Sequence, residues 1–309
     1  MRDIILGIPQ QIRTGSALGL ERPATGTFRR IISCGMGGSA VAGEILSMIR
    51  DDVVVHWDYD LPAHTTSDDL VVCTSWSGTT EETISSYQAA RACGATTLVI
   101  TSGGPLADMA RKDSSLLIEL PAVNAIPRAN VGTMTGALFA ALGMADKLPL
   151  SLDAAALEQQ GNQLATALGG RMLSLYASYP WRKLTGFWKM VYSETAKQQV
   201  MTNWFPSGAH NEVVGWEGSY QATTAILCLK DPQEAPRYAK NFDALLAILG
   251  AKGYTVHTVA LSGDTVIEKV FNSYMLSLWT SYAVAVSLGI DPQTTELLDE
   301  FKRTKAQAA

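Results

Sequence analysis

The chain has 309 residues, of which 47% are hydrophobic, so it is long enough to bury one large core or two ordinary ones. Charged residues make up only 17%, and 24 basic against 29 acidic side chains give a formal net charge of -5. This balance excludes a general attraction for nucleic acid or for an anionic membrane, so an anionic ligand needs a local site.

The four cysteines and the N-terminal segment bear on the cellular compartment. The cysteines show neither CxxC nor CxxH spacing, which argues against a zinc site and against a disulfide framework. The segment MRDIILGIPQQIR meets an acid at residue 3 and a proline at residue 9, and it lacks a long apolar core. We therefore expect a cytoplasmic protein.

From residue 28 onward, short apolar runs alternate with segments of helical periodicity. The runs predict strands over residues 31–34, 53–55, 70–73, 97–100 and 116–120, and a helix follows near 132–142. Solid hydrophobic strands that alternate with helices predict a parallel sheet covered on both faces. Residues 1–150 are therefore predicted to form a doubly wound α/β domain.

The second half repeats this pattern after a different start. Prolines and a charge pair in LGMADKLPLSLDAAALEQQ place the domain boundary near residue 150. Residues 151–309 are predicted to open with helices only, over 154–168 and 184–201. A strand over 225–229, a helix over 237–249 and a strand over 256–260 follow. The fold class is α/β, with two doubly wound domains whose parallel sheets are flanked by helices.

Residues 270–290 contain no charge and are long enough to span a membrane. Serine, threonine, tyrosine and asparagine side chains interrupt their apolar surface, and the chain contains no second such segment. This pattern favours a buried helix in the core or at a subunit interface, and we expect no membrane partner.

Two of the predicted strands end in unusual loops. The first loop, CGMGGSA at 34–40, offers three glycines and Ser39, and the second, TSWSGTTEET at 74–83, is rich in hydroxyls. The glycines fall at 35, 37 and 38 with alanine at 40, which misses the dinucleotide spacing GxGxxG. An NAD-dependent dehydrogenase is therefore disfavoured, but Asp58 and Asp60 after the second strand leave it open.

The hydroxyls of the second loop suit a phosphate monoester. Ser75, Ser77 and Thr80 can converge on a terminal phosphate at the amino end of a helix, where free backbone N–H groups also bind anions. The alternative is a capping box between Thr79 and Glu82. That alternative leaves the other hydroxyls unexplained, so we predict phosphate binding.

GMGGSA and SWSGTTEE resemble the signature loops of sugar isomerase (SIS) domains, and more narrowly those of the bifunctional phosphoglucose/phosphomannose isomerases. In that family the second loop reads Ser-Tyr-Ser-Gly-Asn-Thr, so Trp76 and Thr79 depart from it while the hydroxyls remain. The resemblance continues in order through PRANVG, FWKMVYSETAK, HNEVVGW and GIDPQTTELLDEFK. It implies two SIS-type domains.

The resemblance also implies an activity, which is the interconversion of glucose 6-phosphate, and of mannose 6-phosphate, with fructose 6-phosphate through a cis-enediol(ate). It implies Glu194 as the base, His210 and Lys302 as the ring-opening groups, and Arg128 as the residue that stabilises the enediolate. The implied substrate-binding residues are Gly37, Gly38, Ser39, Ser75, Ser77, Thr80 and Thr295. Proton transfer of this kind needs no metal and no cofactor, so we expect neither. The family resemblance further implies a homodimer whose active site is shared between subunits.

Two alternatives stay open at this stage. The family has a strand before the helix of the catalytic glutamate, for which YPWRKLTGFWKM leaves little room. Either that strand is lost or the alignment of Glu194 is wrong, and Glu212 is then the reserve base. The second alternative is a SIS-type sensor that binds a sugar phosphate without catalysis, although the chain has no spare basic segment for a partner domain.

Overall fold

The computed structural model describes residues 1–123, 126–149 and 151–307, so the predicted boundary at Leu150 falls outside the described residues. The chain divides into two compact units. The N-terminal unit comprises Asp3–Leu152 and Gly263–Phe271. The C-terminal unit comprises Met1–Arg2, Asp153–Ser262 and the chain from Asn272 onward.

The N-terminal unit is built on a parallel sheet of five strands in the order β2-β1-β3-β4-β5. The central strand, β3, is buried along its whole length, as expected for a strand covered on both faces. All five strands are confirmed, with ends within two residues of the predicted ones: β1 Ile31–Cys34, β2 Val53–His56, β3 Leu70–Ser75, β4 Thr96–Thr101 and β5 Leu116–Glu119.

Before residue 152 the described part of the chain forms α1 Arg2–Leu6, α2 Ile8–Leu20, α3 Val41–Leu46, α4 Glu81–Ala92, α5 Gly104–Lys112 and α6 Val131–Ala141. Every residue of α6 is buried, and α2 packs directly on it. A Cβ built on Gly15 of α2 would lie 2.0 Å from the carbonyl oxygen of Thr133 in α6. The two helix backbones therefore touch, which only glycine permits.

A buried ion-pair cluster, which the sequence analysis did not identify, precedes β3. The carboxylate of Asp69 is fully buried and accepts hydrogen bonds from Arg29 at 2.7 Å and Arg30 at 3.2 Å. The backbone amide of Thr66 donates a further bond at 2.9 Å. Burial alone raises the pKa of Asp69, but the two guanidinium groups outweigh it and hold that pKa below its ordinary value.

The C-terminal unit contains a second parallel sheet, in the order β7-β6-β8-β9. Its strands are β6 Met172–Ser178, β7 Val200–Phe205, β8 Thr224–Lys230 and β9 Val256–Ala260. The last two were predicted, whereas the expectation that this half opens with helices only is wrong. Strand β6 lies directly before YPWRKLTGFWKM, so the strand that the family has before this helix is present.

The helices of this half are α7 Ala154–Leu168, α8 Arg182–Ala196, α9 Glu212–Gly215, α10 Pro236–Ala251, α11 Val266–Ser287 and α12 Glu296–Gln307. The predicted helix over 184–201 is wrong beyond residue 196. There Lys197 adopts a left-handed conformation with φ of 56°, and β7 begins three residues later. A left-handed residue ends a helix because it turns the chain out of the helical path.

The uncharged segment predicted to be buried forms most of α11, and the prediction is confirmed for residues 270–285, whereas Val286 and Leu288 are exposed. Its buried hydroxyls bond back to carbonyls of the same helix, as in Ser277 to Tyr274 and Thr280 to Leu276, each at 2.7 Å. Across the described residues, no helix is both long enough and apolar enough to cross a membrane.

Candidate active site

The two unusual loops follow neighbouring strands of the first sheet. The order β2-β1-β3-β4-β5 means that the chain leaves β1 toward one edge and then returns to β3 on the other side of β1. The crevice outside the carboxyl ends of β1 and β3 is the point at which open α/β sheets bind their ligands. The glycine loop follows β1 and the hydroxyl loop follows β3, so both line this crevice.

The hydroxyl loop is a tight turn held by its own side chains. The Oγ of Ser75 lies 2.9 Å from Oγ1 of Thr80 and accepts the backbone amide of Gly78 at 3.1 Å. The Oγ of Ser77 lies 2.9 Å from Oγ1 of Thr79. Gly78 has φ of 68°, a conformation that side-chain-bearing residues rarely adopt. The hydroxyls predicted to bind phosphate are therefore close to one another at one strand end.

The capping box considered for Thr79 and Glu82 is wrong. Helix α4 begins at Glu81, so Thr80 is its N-cap, and the side chain of Thr80 makes no capping hydrogen bond. The hydroxyl of Thr79 is instead paired with Ser77. The amino end of α4, with its free N–H groups and partial positive charge, thus faces the same crevice as the hydroxyls.

The glycine loop joins the hydroxyl loop to Arg128. The Oγ of Ser39 accepts the backbone amide of Trp76 at 3.1 Å. A Cβ built on Gly38 would lie 2.6 Å from the backbone nitrogen of Arg128, so the two chain segments are in direct contact. Arg128 is buried, with 2% of its surface exposed, where a solitary arginine after a proline is usually exposed. The N-terminal unit thus brings Gly37, Gly38 and the hydroxyls together with Arg128.

In the C-terminal unit, Glu194 lies half-buried on the last turn of α8, and Thr295 lies half-buried just before α12. The ammonium group of Lys197 donates to the carbonyl of Glu194 at 2.5 Å and to that of Thr294 at 2.6 Å. These bonds bring the segments of Glu194 and Thr295 together. Sequence reasoning missed Lys197, because its second partner lies 97 residues further along the chain.

The two residues proposed for ring opening are both exposed. His210 ends a 3-10 helix, Ser207–His210, that follows β7, and Lys302 lies in the middle of α12. Both side chains are therefore accessible from the solvent.

Glu212, the reserve base, is engaged within its own unit. Its carboxylate accepts the hydroxyl of Tyr176 at 2.5 Å and the side-chain amide of Asn203. The indole N–H of Trp216 donates to the same Tyr176 hydroxyl at 2.8 Å. Burial and the adjacent carboxylate raise the pKa of Tyr176, so that hydroxyl stays a donor to Glu212. The network holds the segment that carries His210.

Comparisons with known proteins agree with this architecture. Residues 157–304 match the family model described as the bacterial phospho-glucose isomerase C-terminal SIS domain. The bifunctional phosphoglucose/phosphomannose isomerase of Aquifex aeolicus is 27% identical over 288 residues, which cover 89% of this chain and 90% of that protein. Its namesake from Caldicellulosiruptor bescii is 26% identical and covers 99% of both chains. The crystal structure of tagatose-6-phosphate ketose/aldose isomerase from Escherichia coli superposes with a TM-score of 0.65 at 16% identity, covering 94% of each chain.

Two parallel sheets flanked by helices define an α/β fold class that the chain shares with the solved tagatose-6-phosphate ketose/aldose isomerase, and residues 157–304 match a SIS-domain model. Within that class, the matches along nearly the whole sequence confirm the resemblance predicted from the motifs. The chain is thus similar along nearly its whole length to bifunctional phosphoglucose/phosphomannose isomerases, and its residues 157–304 match the C-terminal SIS domain of bacterial phospho-glucose isomerases.

Proposed function

We propose that the protein is an aldose–ketose isomerase that interconverts glucose 6-phosphate, and mannose 6-phosphate, with fructose 6-phosphate. The observation that carries this proposal is the cluster of hydroxyls at the β1/β3 switch point, in contact with the glycine loop that adjoins Arg128. The two aldoses differ only at C2, and removal of the C2 proton gives one common enediol. One site can therefore serve both sugars.

The phosphate is assigned to the N-terminal unit. Ser75 and Thr80 can exchange the hydrogen bond between them, and Ser77 its bond to Thr79, for bonds to phosphate oxygens, and the first amides of α4 add donors. Gly37 and Gly38 let the backbone approach the ligand, with Ser39 beside them. No charged side chain is needed in this set, because many fixed dipoles together stabilise the anion.

Proton transfer between C2 and C1 is assigned to Glu194. A carboxylate suits this shuttle because it can return the proton that it removes. The carboxylate of Glu212 is already bonded to Tyr176 and Asn203, which favours Glu194 over Glu212 as the base.

Ring opening is assigned to His210 with Lys302, since imidazole both accepts and donates protons near neutral pH. Arg128 is assigned to the enediolate oxygen, where negative charge develops during the reaction. One fixed donor at such a position stabilises the transition state by about 3 kcal/mol, which corresponds to a rate factor of about a hundred.

The assay that tests this function couples glucose 6-phosphate formation from fructose 6-phosphate to a reporter dehydrogenase, for the wild type, E194Q and E212Q. We expect E194Q to lose at least about a hundredfold in kcat because the proton shuttle is gone. Wild-type activity in E194Q would contradict the assignment of the base. A wild type that binds fructose 6-phosphate in a thermal-shift assay but turns over neither aldose would instead be a sensor.

We further propose a cytoplasmic homodimer in which His210 acts in the neighbouring subunit's site. The family resemblance of the motifs implies such a shared site, and the apolar face of α12 supports a second subunit, because Leu297 is 78% and Phe301 is 65% exposed. Sugar monophosphates are doubly charged and are retained inside cells.

Subunit mixing tests the shared site. Co-refolded E194Q and H210N chains should regain about a quarter of wild-type activity, because half of the dimers are mixed and each mixed dimer has one intact site. If both groups of a site came from one chain, the mixture would stay as inactive as either variant alone.

A further inference from the structure

Lys197 has a left-handed backbone conformation, which residues with a side chain rarely adopt. It follows the last residue of α8 with φ of 56°, in the left-handed region that glycine usually fills at this position of a helix end. A residue with a Cβ is disfavoured there, so its presence points to a use of the side chain.

The side chain of Lys197 connects two segments that are distant in sequence. Its ammonium donates to the carbonyl of Glu194, in the last turn of α8, and to the carbonyl of Thr294. The last carbonyls of a helix have no partner within the helix and carry the negative end of its dipole, so a cation is favoured there. Bonds from an ionised donor are also shorter and stronger than neutral ones.

Helix α12 needs such a connection. None of the residues in Glu296–Gln307 is buried, so among the described residues α12 has no buried apolar face that would fix where the helix begins. The carbonyl of Thr295 accepts the amide of Asp299 at 3.1 Å and opens the helix. The position of Thr294, one residue earlier, therefore sets the position of Thr295 and the direction of α12.

We propose that Lys197 is a positioning residue that fixes the spacing between the base Glu194 and Thr295, and through Thr295 sets the balance between the two aldose substrates. This inference rests on the proposed isomerase function. Lys197 touches no reacting atom in this scheme. It acts by holding the helix end that carries the base against the residue that leaves room for the second C2 configuration.

We expect removal of the Lys197 ammonium to reduce turnover and to leave the overall fold unchanged. Without the ammonium, the loop before α12 loses one fixed point, and small displacements of groups in an active site reduce kcat steeply. The two epimers present C2 with opposite configurations, so a shift of Thr295 relative to Glu194 affects their turnover unequally.

The test compares K197M and K197R with K189M, which removes an exposed lysine from the same helix. We expect K197M to lower kcat about tenfold and to change the ratio of mannose 6-phosphate to glucose 6-phosphate turnover at least about threefold. K197R should recover part of both, and K189M should match the wild type. A K197M enzyme with the ratio and kcat of K189M would overturn the proposal.

Amide hydrogen exchange separates this inference from the function on which it rests. In K197M, residues 291–300 should exchange faster than in K189M, while the sheet of the C-terminal unit should not change. This readout needs no activity. If the wild type isomerises neither sugar phosphate, the proposed function fails while faster exchange still supports the connection. Unchanged exchange in K197M overturns the connection, whether or not the wild type is active.

Discussion

Thr295 is the residue on which the choice between the two aldoses is expected to depend. We predict that Thr295→Leu keeps glucose 6-phosphate turnover and lowers mannose 6-phosphate turnover about tenfold, because the larger side chain fills the space required by the second C2 configuration. Coupled assays with each sugar measure this, and Thr295→Ser serves as the control with both activities. Equal losses for the two sugars would reject the role of Thr295.

Asp69 governs stability rather than chemistry. Removing the carboxylate in D69N leaves two arginines without their buried partner, so we expect the free energy of unfolding in urea to fall by about 3 kcal/mol. The exposed neighbour Asp68 provides the control variant D68N.

The contribution of Asp69 and its two arginines to stability depends on pH in a predictable direction. The folded-state pKa of Asp69 lies below its ordinary value of about 3.9, so its contribution is complete above that pH and is lost as the pH falls further. The difference in stability between wild type and D69N should therefore shrink as urea titrations move from pH 6 toward pH 3. A constant difference would contradict this origin.

Residues close in sequence made part of the site predictable. Ser75, Ser77 and Thr80 lie within six positions, so their convergence follows from one turn at a strand end. The contacts of Lys197 with Thr294 and of Tyr176 with Glu212 join residues 97 and 36 positions apart. Such pairs depend on how the elements pack, so no pattern of neighbouring residues in the sequence predicts them.

At the level of elements, strands that are buried on both faces were predictable from the sequence, and strands that are less buried or contain polar residues were not. The first sheet presents solid apolar runs because its inner strands are covered on both faces, and β8 does the same in the second sheet. Strand β7 is an edge strand, buried only at Val200 and Phe205, so its sequence VMTNWF lacks an apolar run and resembled the end of α8. Strand β6 contains the buried serines Ser174 and Ser178, which weaken the same signal.

The contact between α2 and α6 makes a prediction about packing. Gly15→Ala would place a methyl group against the backbone of Thr133, so the helices must separate, and we expect a loss of about 3 kcal/mol in stability. The matched control is Gly186→Ala in α8, where a Cβ meets no atom within 4 Å and alanine favours the helix by up to about 1 kcal/mol. In thermal melts, Gly15→Ala should have a lower Tm than the wild type, and Gly186→Ala should have a higher one.

For the whole molecule, the two sheets share a topology but differ in the charge at their switch points. In the second sheet this point lies between β6 and β8, and the loop after β8 carries Asp231 and Glu234. The indole of Trp181 donates to Asp231 at 3.1 Å. Burial raises the pKa of Glu234, the hydroxyl of Ser178 opposes this, and the charge of Asp231 adds to the increase. Carboxylates at this position disfavour a phosphate.

We therefore predict one sugar phosphate per chain, although the fold contains two switch points. Calorimetric titration with fructose 6-phosphate should give a stoichiometry of about one, since like charges repel the anion at the second point. S75A combined with T80V should abolish binding, whereas D231N should leave it unchanged. Two equivalents per chain, or binding that survives in the double variant, would contradict this.

The exposure of α12 also predicts the order in which activity and fold are lost. A helix of 12 residues that buries none of its side chains is marginal in water by itself, so we expect its order to depend on Lys197 at its start and on the proposed second subunit along its apolar face. Dilution or gentle warming should therefore melt α12 first, and the proposed ring-opening residue Lys302 would leave the site while both sheets remain intact. Inactivation would then precede any change in the bulk fold, as an early and reversible event at the chain's end.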